Sequence, residues 1–272
     1  MRRQAVNWLP GRIRLEHLYP LTWRERGLTA RSGERALEEG LLYGSLPGIL
    51  AEPEPARRRE DLASYTALYL EEEIRAEAAV RQLQPFVRFL PLAALESGSS
   101  PNFSRLGSAV GVSHSAVRGY YQILEDSLIV HRLGAWGKSR AALLRKSRFY
   151  FFDIGVRNAA AELGHDRGLL TLQMGALFEH HVVLEAVARC GGRGLSYWRT
   201  KAGDEVDLIV ERDGKVLAFE IKATERPRPE DFAGLAAFRK SERCDGAFLI
   251  CRVPKAQKFE HGVALPWREL PI

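Results

Sequence analysis

The first hundred residues combine helical periodicity with stretches broken by glycine and proline. Apolar residues recur at helical spacing from 57 to about 83, and a shorter helix is predicted at 85–95. The segment 41–50, LLYGSLPGIL, has the composition of a loop. Residues 1–35 are rich in arginine and contain one short apolar alternation. The pattern therefore predicts a mainly helical region over 41–100.

The next segment, 103–133, has the pattern of a winged helix-turn-helix. It predicts helices at 103–110 and 114 to about 126, joined by a three-residue turn in which Ser113 is the N-cap. A strand follows, and a second wing strand ends at Asp153. The predicted small core consists of Leu106, Val110, Val112, Val117 and Leu124. The second helix is expected to present His114, Ser115, Arg118 and Gln122 outward.

Helical and strand patterns alternate in the last hundred residues. They predict a long helix at 170–190, a strand at 195–200, a hairpin at 203–224, a helix from about 229 to 240, a strand at 246–253 and a short tail. Asp213-Gly214 suits the tight turn of the hairpin, because both residues tolerate positive φ. The predicted fold class is α/β (α+β overall), with a mixed sheet flanked by helices.

The hairpin raises a chemical question. Pairing Arg212 with Lys215 sets Asp207 opposite Glu220, and Lys222 lies on the same face as Glu220. Like charges directly opposite each other destabilise a sheet. A divalent cation between the carboxylates would compensate for this repulsion.

Mg²⁺ or Mn²⁺ is therefore the expected cofactor, with Asp207, Glu220 and Glu179 as candidate ligands. Glu179 lies on the long helix before the sheet. Lys222, beside such a metal, is expected to orient or help deprotonate an attacking water, so the four residues form the candidate catalytic set.

Composition and charge narrow the choice of function. The chain has 272 residues, 46% of them apolar, and a net charge of +6. Eight Arg or Lys and only two acidic residues lie in 101–152, which indicates a nucleic-acid surface, a solvated face or a face toward an acidic partner. Besides the four outward residues of the second helix, Arg105, Lys138 and Arg140 are candidate nucleic-acid contacts.

Several other classes of protein are not indicated. Three cysteines without a C-x-x-C pair argue against a disulfide framework and suit a reducing cytoplasm. No apolar run suggests a membrane helix, and the start lacks the apolar core of a secretion signal. GAWGKS at 134–139 resembles a phosphate-binding loop, but Arg132 stands where its first glycine belongs, so no ATP binding is expected.

The set Glu179, Asp207, Glu220 and Lys222 resembles the PD-(D/E)XK nuclease superfamily, in which Val206-Asp207 would replace the usual Pro-Asp. More broadly, YGSLPGIL, the helix-turn-helix, RKSRFYFFDIGVRNA, GALFEHHVV, EVDLIV and FEIKAT occur in an order that resembles domain of unknown function 4143 over about 40–270. The resemblance implies that the chain corresponds to the C-terminal part of an AAA-type ATPase of bacteria or archaea. The segment LPGRIRLEHLYPLTWRE resembles the end of the ATPase core that precedes this part. The Walker-containing core of such an ATPase is not found in this sequence, so we expect either a truncated or split gene or a core that is encoded elsewhere.

The predicted domain organisation follows these segments. We expect a remnant of the ATPase core at 1–40, a helical region at 41–100, a winged helix-turn-helix at 101–155 and a nuclease-like domain at 170–272.

Three functions remain open. One is a metal-dependent nuclease aimed at DNA by the winged helix. The second is a catalytically silent module that binds DNA or protein. The third is a fragment that needs a separate AAA-type ATPase. Self-association of the chain into a homo-oligomer also remains open.

Overall fold

The computed structural model describes residues 16–29, 32–70, 83–137 and 146–272. The fold class is mixed α/β, as predicted, with one eight-stranded sheet and helices against it. Within the described residues, no helix is both long enough and apolar enough to cross a membrane. The predicted contacts Lys138 and Arg140, and part of the helix predicted at 57–83, lie outside the described residues.

The N-terminal half is helical. Its helices are α1 (Glu34–Tyr43), α2 (Pro47–Ala51), α3 (Pro55–Ser64), α4 (Leu83–Leu95), α5 (Phe103–Val110) and α6 (His114–Asp126). A π-helical stretch, Tyr65–Leu70, continues α3. The loop predicted at 41–50 is wrong: Gly44, with φ of 75°, ends α1, and Pro47 restarts the chain as the first residue of α2.

The helix-turn-helix is confirmed at the predicted boundaries. Asn102 and Ser113 cap α5 and α6, and Gly111 ends α5 in the left-handed region. Four of the five predicted core residues are buried and Val112 is partly buried, whereas the four polar residues of α6 point to solvent.

The C-terminal half contributes the remaining helices and most of the sheet. The helices are α7 (Ile154–Ala160), α8 (Arg167–Cys190) and α9 (Ala233–Ser241), with short 3₁₀ turns at Pro229–Phe232 and Trp267–Glu269. The strands are β1 (Val130–Ala135), β2 (Arg148–Phe151), β3 (Leu195–Arg199), β4 (Glu205–Arg212), β5 (Lys215–Ile221), β6 (Gly246–Cys251), β7 (Gln257–Phe259) and β8 (Gly262–Pro266).

The second wing strand ends before Asp153, in agreement with the prediction, but the helix α7 that follows was not predicted. Asp153 caps the N-terminus of α7 by accepting the N–H of Val156. The segment after 253 is not a plain tail, because β7 and β8 form an antiparallel pair and β8 joins β6 in parallel.

The strand order is β2-β1-β3-β4-β5-β6-β8-β7. The wing strands therefore continue the larger sheet, since β1 runs parallel to β3 through Gly134 and Ala135. The hairpin register is confirmed, with Arg212 opposite Lys215 and Leu208 opposite Phe219. One further step along this register sets Asp207 opposite Glu220.

Residues 16–29, part of the predicted ATPase remnant, pack against the long helix. The Trp23 side chain is buried between His181 and Trp267, and its backbone N–H donates to Glu185 Oε2 at 2.9 Å. This segment is therefore part of the same hydrophobic core as α1 and α8.

Candidate functional site

Three carboxylates and one lysine meet where α8 crosses the hairpin of β4 and β5. Glu179 comes from α8, Asp207 from β4 and Glu220 from β5, and Lys222 follows the end of β5. The Lys222 Nζ donates to Glu220 Oε1 at 2.9 Å, and the Ile221 N–H donates to Asp207 Oδ2 at 2.9 Å. The structure thus brings together the four residues proposed as the catalytic set.

Burial makes this carboxylate cluster electrostatically unfavourable. Burial first, and then the charge of Asp207, raise the pKa of Glu179 to about 7 and that of Glu220 to about 8. Burial also raises the pKa of Asp207. Burial acts to lower the pKa of Lys222, but the hydrogen bond and charge of Glu220 outweigh it and the pKa is raised. The cluster therefore favours added protons or an added cation.

Glu220 retains an unused oxygen. Its Oε2 is buried and has no hydrogen-bond partner among the described residues. The atom lies under the start of α9, where a Cβ on Gly234 would come within 3.4 Å of it and within 1.9 Å of the Glu205 carbonyl oxygen. Glycine at 234 thus permits α9 to lie directly on the hairpin beside this carboxylate.

Arg148, which the sequence did not single out, inserts a cation among these carboxylates. Its Nη1 lies 3.1 Å from Glu179 Oε1 and 3.6 Å from Asp207 Oδ1, and its Nη2 pairs with Glu205. Tyr150 also donates to Glu179 Oε1, at 2.7 Å. Glu179 is therefore held on the side of the cluster that faces the wing.

The residue types suit a divalent cation, but the carboxylates do not form a preformed coordination site. Carboxylate oxygens are the ligands that Mg²⁺ and Mn²⁺ prefer, and no described residue forms a hydrogen bond with Glu220 Oε2. Among the described residues, however, no three His, Cys, Asp or Glu side chains stand in a metal-holding arrangement. Glu220 could offer its Oε2 to a metal, whereas both Glu179 and Asp207 would have to leave Arg148 to join it.

A second feature is an open groove between helix α6 and the wing. Its volume is about 530 Å³. Three of the predicted contacts line it, namely His114, Arg118 and Gln122. Two further cations, Arg132 and Lys146, and the hydroxyl residue Ser147 also line it. Of the part of the chain that the structure describes, Glu125 is the one acidic residue in the lining. The groove therefore carries a positive surplus.

Two other predicted nucleic-acid contacts that the structure describes, Ser115 and Arg105, do not line the groove. Ser115 is exposed and its Oγ is 2.9 Å from that of Ser113. Arg105 is exposed and forms an ion pair with Glu96. Arg132 and Lys146 were counted in the basic segment of the sequence, but only the fold shows that they line a groove.

Family comparisons divide the chain at about the start of α8. Residues 34–167 match the family described as Domain of unknown function (DUF8612), and residues 174–270 match Domain of unknown function (DUF4143). The latter domain is found in the C-terminal part of AAA-type ATPases. The resemblance to domain 4143 is therefore confirmed for the part that holds Glu179 and the hairpin.

Two curated proteins were matched. Uncharacterized protein Rv2008c of Mycobacterium tuberculosis is 30% identical over 232 residues, which are 82% of this chain and 50% of that protein. Uncharacterized protein Mb2031c of Mycobacterium bovis matches with the same figures. The chain thus spans about half the length of the curated relatives it matches. No solved structure matches it.

Proposed function

Since this chain joins a DUF8612 domain to a DUF4143 domain, we propose that it is a divalent-metal-dependent nuclease that binds DNA through its winged helix. The observation that carries the proposal is the buried cluster of Glu179, Asp207 and Glu220 beside Lys222. Burying three carboxylates close together destabilises the folded protein unless another group compensates for their charge. Such clusters with raised pKa values are typical of functional sites.

The order of the elements supports the same reading. Helix α8 precedes the antiparallel strands β3, β4 and β5, and α9 then leads to β6, which runs parallel to β5. This order sets an acid on the helix against the D-x(12)-E-x-K hairpin, as the resemblance to PD-(D/E)XK nucleases implies. The proposal extends that resemblance from residue order to chemistry.

Each residue of the site has a distinct proposed task. Asp207 and Glu220 would hold Mg²⁺ or Mn²⁺, with Glu179 as a third ligand. When bound, the metal would neutralise charge on the phosphate that is cleaved. Lys222, whose side chain is 40% exposed, can donate to an attacking water while its ammonium stays paired with Glu220.

The groove supplies the proposed substrate contacts. Arg118 on α6 and Arg132 and Lys146 on the wing face one open space, where they can bind the phosphates of a nucleic-acid backbone. Contacts of this kind carry little sequence information and weaken as salt rises. The proposed substrate is DNA, and the proposed location of the protein is the cytoplasm.

The test is cleavage of supercoiled plasmid and of labelled single-stranded DNA with Mg²⁺ and with Mn²⁺. Wild type should cleave, and Asp207→Ala and Lys222→Ala should lose at least about 100-fold of the rate. Lys215→Ala, at the exposed far end of β5, is the matched control and should cleave like wild type. Equal cleavage by all four proteins would point to a contaminating nuclease.

A catalytically silent binding module that acts with a separate AAA-type ATPase is the second candidate. The ion pairs of Arg148 favour it, because they satisfy Glu179 and Asp207 without a metal. This candidate predicts no cleavage but salt-sensitive DNA retention that Arg118→Ala weakens. A homo-oligomer is compatible with either candidate.

A further inference from the structure

Arg148 links the wing to the acidic cluster. It is the first residue of β2, pairs with Leu133 across the wing, and is 9% exposed. Its guanidinium carbon lies 4.8 Å from the centre of the Tyr197 ring on β3. Its nitrogens reach across to Glu179 and Asp207. A cation from the DUF8612 side therefore occupies the space between two candidate metal ligands of the DUF4143 side.

The same short segment also forms part of the groove. Lys146 and Ser147 line it, and Arg132 Nε donates to Ser147 Oγ at 2.8 Å. The Tyr197 hydroxyl donates to the Lys146 carbonyl oxygen, so one tyrosine contacts both ends of 146–148. Lys146 of the groove lining and Arg148 are therefore two residues apart in the chain and share a contact with Tyr197.

Arg148 cannot leave the cluster by losing its charge. Burial acts to lower its pKa, but Tyr150, Glu179 and Asp207 raise it above the ordinary value. The guanidinium therefore stays protonated and needs an anionic partner wherever it lies. If a metal takes Glu179 and Asp207, a phosphate is the partner whose geometry suits an arginine best.

We propose that Arg148 is a positioning residue that exchanges anions: it holds Glu179 and Asp207 in the metal-free protein and moves to a nucleic-acid phosphate when a divalent cation takes these carboxylates. This inference rests on the proposed metal site. Metal and DNA then strengthen each other's binding. The metal frees Arg148 to bind a phosphate, and the phosphate draws Arg148 away from the carboxylates that bind the metal. Without DNA, Arg148 competes with the metal and lowers its apparent affinity.

The experiment measures Mn²⁺ binding by electron paramagnetic resonance, with and without a short duplex DNA. For wild type, the duplex should tighten Mn²⁺ binding about fivefold or more. Without DNA, Arg148→Gln should bind Mn²⁺ at least about tenfold more tightly than wild type does. The duplex should increase the Mn²⁺ affinity of this variant only slightly. Arg148→Lys keeps the charge and should stay close to wild type without DNA.

Two further variants separate local exchange from general electrostatics and from misfolding. Arg132→Gln removes another wing cation and should not tighten Mn²⁺ binding in the absence of DNA. Glu205→Gln removes one anchor of Arg148 without touching a candidate ligand, and should tighten Mn²⁺ binding in the same direction as Arg148→Gln. This second route keeps the test valid if Arg148→Gln does not fold.

The outcomes distinguish the inference from the function beneath it. No Mn²⁺ binding by any of these proteins refutes the proposed metal site. Mn²⁺ binding that is equal in wild type, Arg148→Gln and Glu205→Gln refutes the exchange alone, as does equal tightening by Arg132→Gln. A duplex that leaves the Mn²⁺ affinity of wild type unchanged also refutes the exchange.

Discussion

Replacing Glu220 by glutamine should stabilise the metal-free protein at high pH. The folded state holds Glu220 with a pKa of about 8, because burial and Asp207 disfavour its charge. A group whose folded pKa is raised contributes stability at low pH, and this contribution is lost as pH rises through the folded pKa. Wild type should therefore lose stability between about pH 4.5 and pH 8, whereas Glu220→Gln carries no charge to bury.

The size of the effect follows from proton linkage. A tenfold change in proton affinity corresponds to about 1.4 kcal/mol, so a pKa raised from 4.5 to about 8 sets an upper limit of about 5 kcal/mol on the cost of ionising this buried carboxyl, and we expect on the order of 2–4 kcal/mol at pH 9. The lower figure applies because Asp207, Glu179 and Glu220 share the protons of one cluster. A glutamine oxygen can still accept the Lys222 hydrogen bond, which is 2.9 Å in wild type.

Urea unfolding in the presence of EDTA, at about pH 5 and about pH 9, measures this difference directly. Glu220→Gln should be similar to wild type at the lower pH and more stable at the higher pH. Glu211→Gln, an exposed residue on β4, is the matched control and should change little at either pH. If Glu220→Gln is less stable than wild type at pH 9, the carboxylate cluster is not under electrostatic strain and the reasoning fails.

Three further predictions concern capping, groove and metal. Asp153→Ala should lower the free energy of unfolding by about 2–4 kcal/mol, because this buried residue caps α7 and also accepts the Ser45 N–H; Asp166→Ala, an exposed cap of α8, should cost only about 1 kcal/mol in the same urea titration. Arg118→Ala and Lys146→Ala should each weaken DNA binding and reduce its salt dependence by about one counterion, measured by fluorescence anisotropy over a salt series, and an unchanged slope would contradict the groove. The metal-induced rise in Tm should grow from about pH 5 to about pH 8, because the carboxyls must lose protons before they bind metal; an equal rise at both values would contradict this.

Local sequence signals were enough to predict the hairpin and the helix-turn-helix. The Asp213-Gly214 turn fixes the register of β4 and β5, so Asp207 and Glu220 could be paired by counting from it. Ser113 and Gly111 mark the ends of the two helices by their backbone requirements. These features depend on neighbours in the chain and are therefore readable from one sequence.

The missed features depend on contacts between distant residues. Helix α7 has only seven residues and follows a strand directly, so it is too short to show a helical period in the sequence. The strands β7 and β8 contain three and five residues, and β8 is held by its pairing to β6. Arg148 looked like one basic residue among eight, because Glu179 and Asp207 come to it only through the fold.

The most direct measurement of the central claim is the number of Mn²⁺ ions that the wild-type protein binds at about pH 8, where Glu179 and Glu220 can ionise. Electron paramagnetic resonance titration of wild type beside Asp207→Asn provides it. We expect at least one bound Mn²⁺ in wild type and loss of that ion in Asp207→Asn. Absence of binding in wild type, or equal binding in both proteins, would contradict a metal site on the hairpin.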